Sequence, residues 1–288
     1  MSALPRTVTR RRRGVNLAAG VGITGCVAAA LAPLIALMVF TAQHGATLLS
    51  GNFLTHSMAG VGPLAPGGGI YHAMVGTLEQ ITLASGLAVP VGLLVAIGIT
   101  EQPVRGLTAA VRFLVDVMTG IPSIVAGLFV FAFWVVGLHR GFSGFAGSLA
   151  LAIIMLPVVV RTAEEMLLLV PRSVREAAWA LGLPRWRTIW SVVIPAARTG
   201  ITTGALLAVA RVTGETAPLL LTVGNNSFIN TNPLRGAQAS LPVFVFSQSG
   251  SAFDVAVRRA WAGALVLVGF VVVLYLTARF LTRNRKLG

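Results

Sequence analysis

The sequence predicts an all-α membrane protein with six transmembrane helices, and three observations carry that expectation. The first is composition. Of 288 residues, 56% are hydrophobic and 10% are charged, and the mean hydropathy is +0.85. A soluble domain carries about 25% charged residues, so this chain lacks the polar surface needed to face water all round. The second is that six apolar stretches reach the length of about 20 residues that a bilayer crossing requires. The third is that the basic residues cluster beside those stretches in alternate connecting segments, which puts most of them on one side of the membrane.

The predicted spans run over residues 16–40, 75–99, 113–137, 146–168, 200–222 and 260–282. The first follows Arg10, Arg11, Arg12 and Arg13. Its apolar run of about 24 residues exceeds the 7–15 of a signal-peptide core, so it reads as a retained span. Cys26, the sole cysteine, lies inside it as a small apolar filler. One cysteine makes no internal disulfide, and no Cys/His cluster has metal-ligand spacing. Residues 41–74 form a loop rich in Gly, Pro, Ser and His, including GPLAPGGG at 62–69. Spans two and three carry Glu79 and Asp116 near their ends, where both read as interfacial. Span three also holds TGIPSIVAG at 119–127. Pro122 there breaks the backbone ladder and Ser123 can rebind a carbonyl, giving either a pathway-lining discontinuity or a tolerated kink. Span five opens on GITTG, 200–204, a small-xxx-small face for helix approach. A second long loop, 223–257, includes NNSFINTNP.

Arginine placement sets the expected orientation. With the N-terminus inside, the inside segments hold 16 Lys and Arg residues and the outside segments four, namely Arg140, Arg235, Arg258 and Arg259. Both termini are therefore expected inside.

Several function classes are excluded. The net charge is +14, but no soluble basic domain exists to bind nucleic acid. No GxxxxGK[ST] phosphate loop is present, and the only lysine is Lys286. HExxH and GxSxG are absent, so no enzyme class is indicated. His44, His56, His72 and His139 lie in or beside outside loops and read as solvated. The residues suggest no cofactor and no metal.

Charges inside spans are costly and ask for a partner or a function. Span four carries RTAEEM, in which Arg161 can pair with Glu164 at i,i+3 or with Glu165 at i,i+4. Span five carries ARVTGETAPLL, in which Arg211 and Glu215 are four apart and predicted on one helical face. Pro218 follows and bends the helix. Either group is an orienting ion pair or part of a pathway, and an arginine in a pathway suits an anion.

The predicted inside loop, 169–199, contains EAAWALGLPRWRTIW. Ser173 reads as an N-cap with Glu176 three residues on, a capping-box pattern. Ala177, Ala178 and Ala180 are strong helix formers. Gly182 is a helix stop and Pro184 a first-turn residue of a second short helix. Such a helix–turn–helix either docks in a groove on another protein or lies at lipid headgroups, with Trp186 and Trp190 as anchors.

The spelling of this loop resembles the EAA motif of ABC importer permeases, carried by Glu176, Ala177, Ala178, Gly182, Pro184 and Pro195. TGIPSIVAGLFVFAFWV (119–135) and LPVVVRTAEEMLLLVPRSVREAA (156–178) are similar to the permeases of phosphate importers, and the likeness covers about residues 68–288. That resemblance implies a type I ABC importer permease fold of the MetI-like kind. In it, residues 68–288 form the core, and residues 1–67 form a basic tail, a span and the start of an outer loop. It implies a multi-pass protein of the bacterial cytoplasmic membrane, coupled through a cytoplasmic helix to two ATP-binding subunits. It further implies a homologous permease partner, surrounding membrane lipid and an extracytoplasmic phosphate-binding protein. By motif it places Arg161, Arg211 and Glu215 in transport, with Glu164 and Glu165 beside them. Two alternatives stand: a permease for sulfate or molybdate, and a membrane scaffold that senses phosphate status.

Overall fold

The computed structural model describes residues 6–62 and 64–283. Arg285 and Lys286, counted among the inside basic residues, lie outside them. The described chain is helical throughout, apart from its loops and one isolated bridge between Gly224 and Gln238. The elements are α1 (Arg6–Gly45), α2 (Gly51–Thr55), α3 (Tyr71–Glu101), α4 (Leu107–Gly120), α5 (Ser123–Val130) and α6 (Gly144–Leu168). There follow α7 (Arg172–Ala180), α8 (Arg185–Thr188), α9 (Ile194–Thr213), α10 (Ala217–Thr222), α11 (Leu241–Ser249) and α12 (Asp254–Arg283). Wider π-type turns extend α5 over Phe131–Gly137 and join α8 to α9 over Ile189–Val193.

Among the described residues, five helices are long and apolar enough to cross a membrane, or six when the bent pair α4–α5 counts as one span. Predicted spans one, two, four and six each fall inside one helix. The other two do not. Span three breaks at Ile121–Pro122, and its halves meet at 102°. Span five ends at Thr213, and residues 217–222 form the separate α10. The cause is Pro218, which has no N–H to donate and whose ring crowds the carbonyl four residues back, at Gly214. The helix also begins earlier than predicted. The apolar stretch runs over Arg185–Thr213, so the true loop is only α7 and its turn.

Helix α6 sits at the centre, against α3, α9, α5, α10 and α4. Between helices in lipid, close approach of small residues replaces the hydrophobic drive. Along α3, Gly76, Gln80, Ala84, Ala88, Gly92 and Ala96 are all buried at spacings of four. Gly76 and Gln80 meet Gln238 and Ala239, and the rest of the stripe faces α6, where a Cβ on Gly92 would stand 2.7 Å from Val159. On α9, the predicted small-residue face is used in the same way. Gly200 and Gly204 lie against Met166 and Thr162 of α6. The resulting core joins Ala84, Leu151, Met155, Val159, Ala208, Val212 and Leu219. Helix α1 stands apart. It touches α12 near one end, where Gly45 meets Trp261 and Phe40 stacks edge-on against the same ring. Cys26 is exposed on its outer surface.

Candidate functional site

Three charged sites lie along the bundle. The first surrounds the break in span three. Met118, Thr119, Pro122 and Ser123, with Ile154, Pro157 and Val158 of α6, enclose a cavity of about 570 Å³ that Arg211 and Glu215 also line. The walls are apolar, and those two side chains supply its charge. The predicted pairing of Arg211 with Glu215 on one helical face is not found. The helix stops at Gly214, so Glu215 falls in the linker before α10, and no ion pair joins the two. Its position is fixed by packing instead. Gly127 of α5 presses on Pro218, so that a Cβ there would lie 2.5 Å from the Pro218 Cα.

The second site is a cluster of four charges just beyond the cavity, since Arg161 follows Val158 by one turn of α6. Arg161 donates to Asp116 of α4 and, at 3.2 Å, to Glu164 Oε2. Arg112 Nε donates to the other oxygen, Glu164 Oε1, at 2.7 Å. Glu164 is buried and bridges two guanidinium groups, which satisfies both its oxygens. Glu165, the predicted i,i+4 partner of Arg161, is exposed and makes no ion pair. Asp116 is not a lone interfacial carboxylate; it closes the cluster. Sequence reasoning missed Arg112 and Asp116, yet a signal existed. Positive and negative residues at 112 and 116 face negative and positive residues at 164 and 161 on an antiparallel helix.

The third site is α7. The predicted capping box is absent. Pro171 occupies the N-cap with extended geometry, and Ser173 lies within the helix. Proline at 171 has the extended backbone that an N-cap requires, so the helix begins at Arg172, ahead of where a Ser173 cap would start it. Glu176 and Ala177 point outward, while Ala178 is buried. The stop is as expected. Gly182 has φ +80°. The Leu183 N–H donates to the Ala178 carbonyl at 3.1 Å and the Gly182 N–H to Trp179 at 2.9 Å, the paired bonds of a Schellman turn. Pro184 then caps α8, and Pro195 sits in the first turn of α9. Leu181, Trp186 and Trp190 are exposed around the turn. Arg175, read from sequence only as a topology-setting charge, reaches Glu101 at 2.6 Å and the Leu167 carbonyl at 2.9 Å.

At the opposite end of the bundle, His72 is buried against Phe244 rather than solvated. Glu79 is not merely interfacial either. It accepts from Gln238 Nε2 at 2.6 Å, and Gln238 Oε1 accepts from Gln80 at 2.9 Å.

Residues 88–286 match the family described as the binding-protein-dependent transport system inner membrane component. The chain belongs to this family. The permease is 43% identical over 287 residues to the phosphate transport system permease protein PstA 1 of Mycobacterium tuberculosis, covering 98% of this chain and 93% of the relative. It is 43% identical over 213 residues to the PstA of Pasteurella multocida, covering 74% and 75% of the two chains. Among solved structures, a chain of the MetNI methionine ABC transporter aligns with TM-score 0.58 at 19% identity, over 75% of this permease and 93% of that chain. A chain of a bacterial alginate importer aligns with TM-score 0.57 at 16% identity, over 98% of this permease and the whole of that chain. These likenesses show the type I ABC importer permease fold. The permease is a membrane-spanning subunit of this family.

Proposed function

We propose that this permease forms half of the translocation pathway of an ATP-driven phosphate importer. The supporting observation is the cavity at the α4–α5 break, where Arg211 and Glu215 face one space without neutralising each other. A guanidinium free of an acid partner offers an oxyanion its planar fork of donors. Glu215 supplies the opposing charge that keeps the ion from being held too tightly. Arg161, with Glu164 and Glu165 nearby, lies on the α7 side of the cavity, where rearrangement of the four-charge cluster opens or closes the path. Glu176, Ala177, Ala178, Gly182, Pro184 and Pro195 shape the handle through which two ATP-binding subunits drive that change. The α7 end faces the cytoplasm, with both termini, in the cytoplasmic membrane of a bacterium. A homologous permease completes the pathway, and an extracytoplasmic binding protein delivers phosphate to residues 68–288.

The substrate is phosphate rather than sulfate because the curated relatives at this identity carry that name. The test is uptake of labelled phosphate by cells in which this chain and its partner subunits are the sole importer. Uptake unchanged by a large excess of sulfate supports the proposal. Uptake suppressed by sulfate would assign the permease to another oxyanion.

A further inference from the structure

A second cationic cavity lies at the end of the bundle opposite α7, far from Arg211. Its volume is about 600 Å³, and its polar lining comes from Ser50, Asn52, His56, Ser57, Arg258 and Arg259. Arg259 is 2% exposed. Its Nε donates to the Gly67 carbonyl at 3.0 Å, and one terminal nitrogen donates to the Ala65 carbonyl. The other terminal nitrogen, Nη1, is buried and makes no hydrogen bond among the described residues. No carboxylate among the described residues pairs with it. Asp254, at the start of the same helix, makes no ion pair with Arg258 or Arg259. A buried guanidinium stays charged and is costly without a counter-ion. Two backbone carbonyls fix this one in place, and they leave a donor unused.

The surroundings supply what such a donor lacks. Arg258 is adjacent and exposed, and Asn52 and His56 are exposed on α2 and just after it. The loop that holds the guanidinium is itself rigid. A Cβ on Gly69 would strike the carbonyls of His56 and Phe53 at 2.4 and 2.5 Å, so the loop lies directly on α2. Leu48 and Phe53 give the cavity an apolar side next to the end of α1.

We propose that this cavity binds a phosphate group, held by Arg258 and His56 at the rim and attracted by the uncompensated charge of Arg259 beneath it. Arginine forks match the paired oxygens of a phosphate, and two arginines suit its charge. The group comes from one of two sources. Free inorganic phosphate fits the polar part, and a lipid headgroup would also use the apolar side beside α1. The site is separate from Arg211 and does not depend on what the permease transports.

The experiment uses the full-length chain purified in a non-ionic detergent without phosphate. Inorganic phosphate is titrated while the unfolding temperature is followed, for Arg211→Ala, which removes the pathway arginine, and for Arg258→Gln and His56→Gln each combined with it. In a second arm, the protein is incubated with phosphatidylglycerol, and retained lipid is read by native mass spectrometry. Loss of one charge-assisted bond weakens binding about ten-fold. The expected result is that, with Arg211→Ala present throughout, adding Arg258→Gln weakens phosphate or phosphatidylglycerol binding by about that factor. The arm that responds identifies the source. Arg259→Gln is expected to abolish binding, but it also frees Ala65 and Gly67, so the exposed Arg258 carries the test. The proposal is overturned if Arg211→Ala binds neither ligand, or if adding Arg258→Gln to it leaves the binding of both unchanged.

Discussion

Arg175 and Glu101 meet at 2.6 Å, 74 positions apart in the chain. The contact ties α7, the one helix exposed on a loop at that face, to the end of α3. Arg175 also donates to the carbonyls of Leu167 and Val170, at 2.9 and 2.5 Å, so one side chain satisfies the end of α6 as well. Helix α7 is therefore bolted to two spans and is not a free loop.

Breaking this pair is expected to destabilise the permease. Both side chains are largely buried, 13% and 8% exposed, and stranding one of two buried charges costs about 3 kcal/mol. Arg175→Met and Glu101→Leu are each expected to lower the unfolding temperature in detergent. The double variant is expected to cost less than the sum of the two. Additive costs would show that the pair contributes nothing as a pair.

Gly182 stops α7 through its backbone alone. No atom lies within 4 Å of a Cβ built there, yet φ is +80°. Gly182→Ala is expected to cost about 1 kcal/mol, and Gly182→Asn less. Faster hydrogen exchange at the Leu183 amide, which closes the turn on Ala178, reports the loss. Unchanged exchange in the alanine variant would contradict this reading of the turn.

Much of this was legible in the sequence, for identifiable reasons. Long apolar runs with arginine flanks give spans because lipid allows few other solutions. The Gly182 stop was readable because positive φ strongly selects glycine. The two misplaced spans share another cause. Pro122 and Pro218 mark a break, but a one-dimensional pattern does not show whether a proline kinks a helix or ends it. That depends on what receives the freed backbone, here the close contact of α5 with α10. The pairing of Arg211 with Glu215 failed because helical spacing was assumed across that break. Arg161 chose Glu164 and Asp116 over Glu165 because α4 lies alongside, a fact of tertiary packing. Gln238, whose partners sit on α3, carried no local signal.

Gly127→Ala is expected to impair transport without touching a charge. The new methyl group would meet the Pro218 backbone at 2.5 Å, which cannot swing aside as a side chain can. Overpacking of this kind costs about 1–3 kcal/mol. Here it displaces α10 and, with it, Glu215. Phosphate uptake is expected to fall more than expression does. Uptake in proportion to expression would show that the position of α10 is immaterial.

Gly144→Ala makes a sharper case at the other end. A Cβ at 144 would stand 1.9 Å from Gln238 Oε1, on an amide held in place by Gln80, Glu79 and the Asn230 carbonyl. The single variant is expected to lose about 2 kcal/mol of stability. Adding Gln238→Ala removes the clash, so the double variant is expected to be more stable than Gly144→Ala alone. A double variant that is less stable would place the cost in the backbone of α6 instead.

The most direct test of the pathway is phosphate uptake by Arg211→Ala, assembled with its partner permease and ATP-binding subunits. Arg211 lines the cavity with no acid attached to it. Its removal is therefore expected to reduce uptake about ten-fold or more while assembly and expression persist. Glu215→Ala and the double variant measured alongside report whether the two charges act together. Wild-type uptake in Arg211→Ala would contradict the pathway and return Arg211 to a structural role.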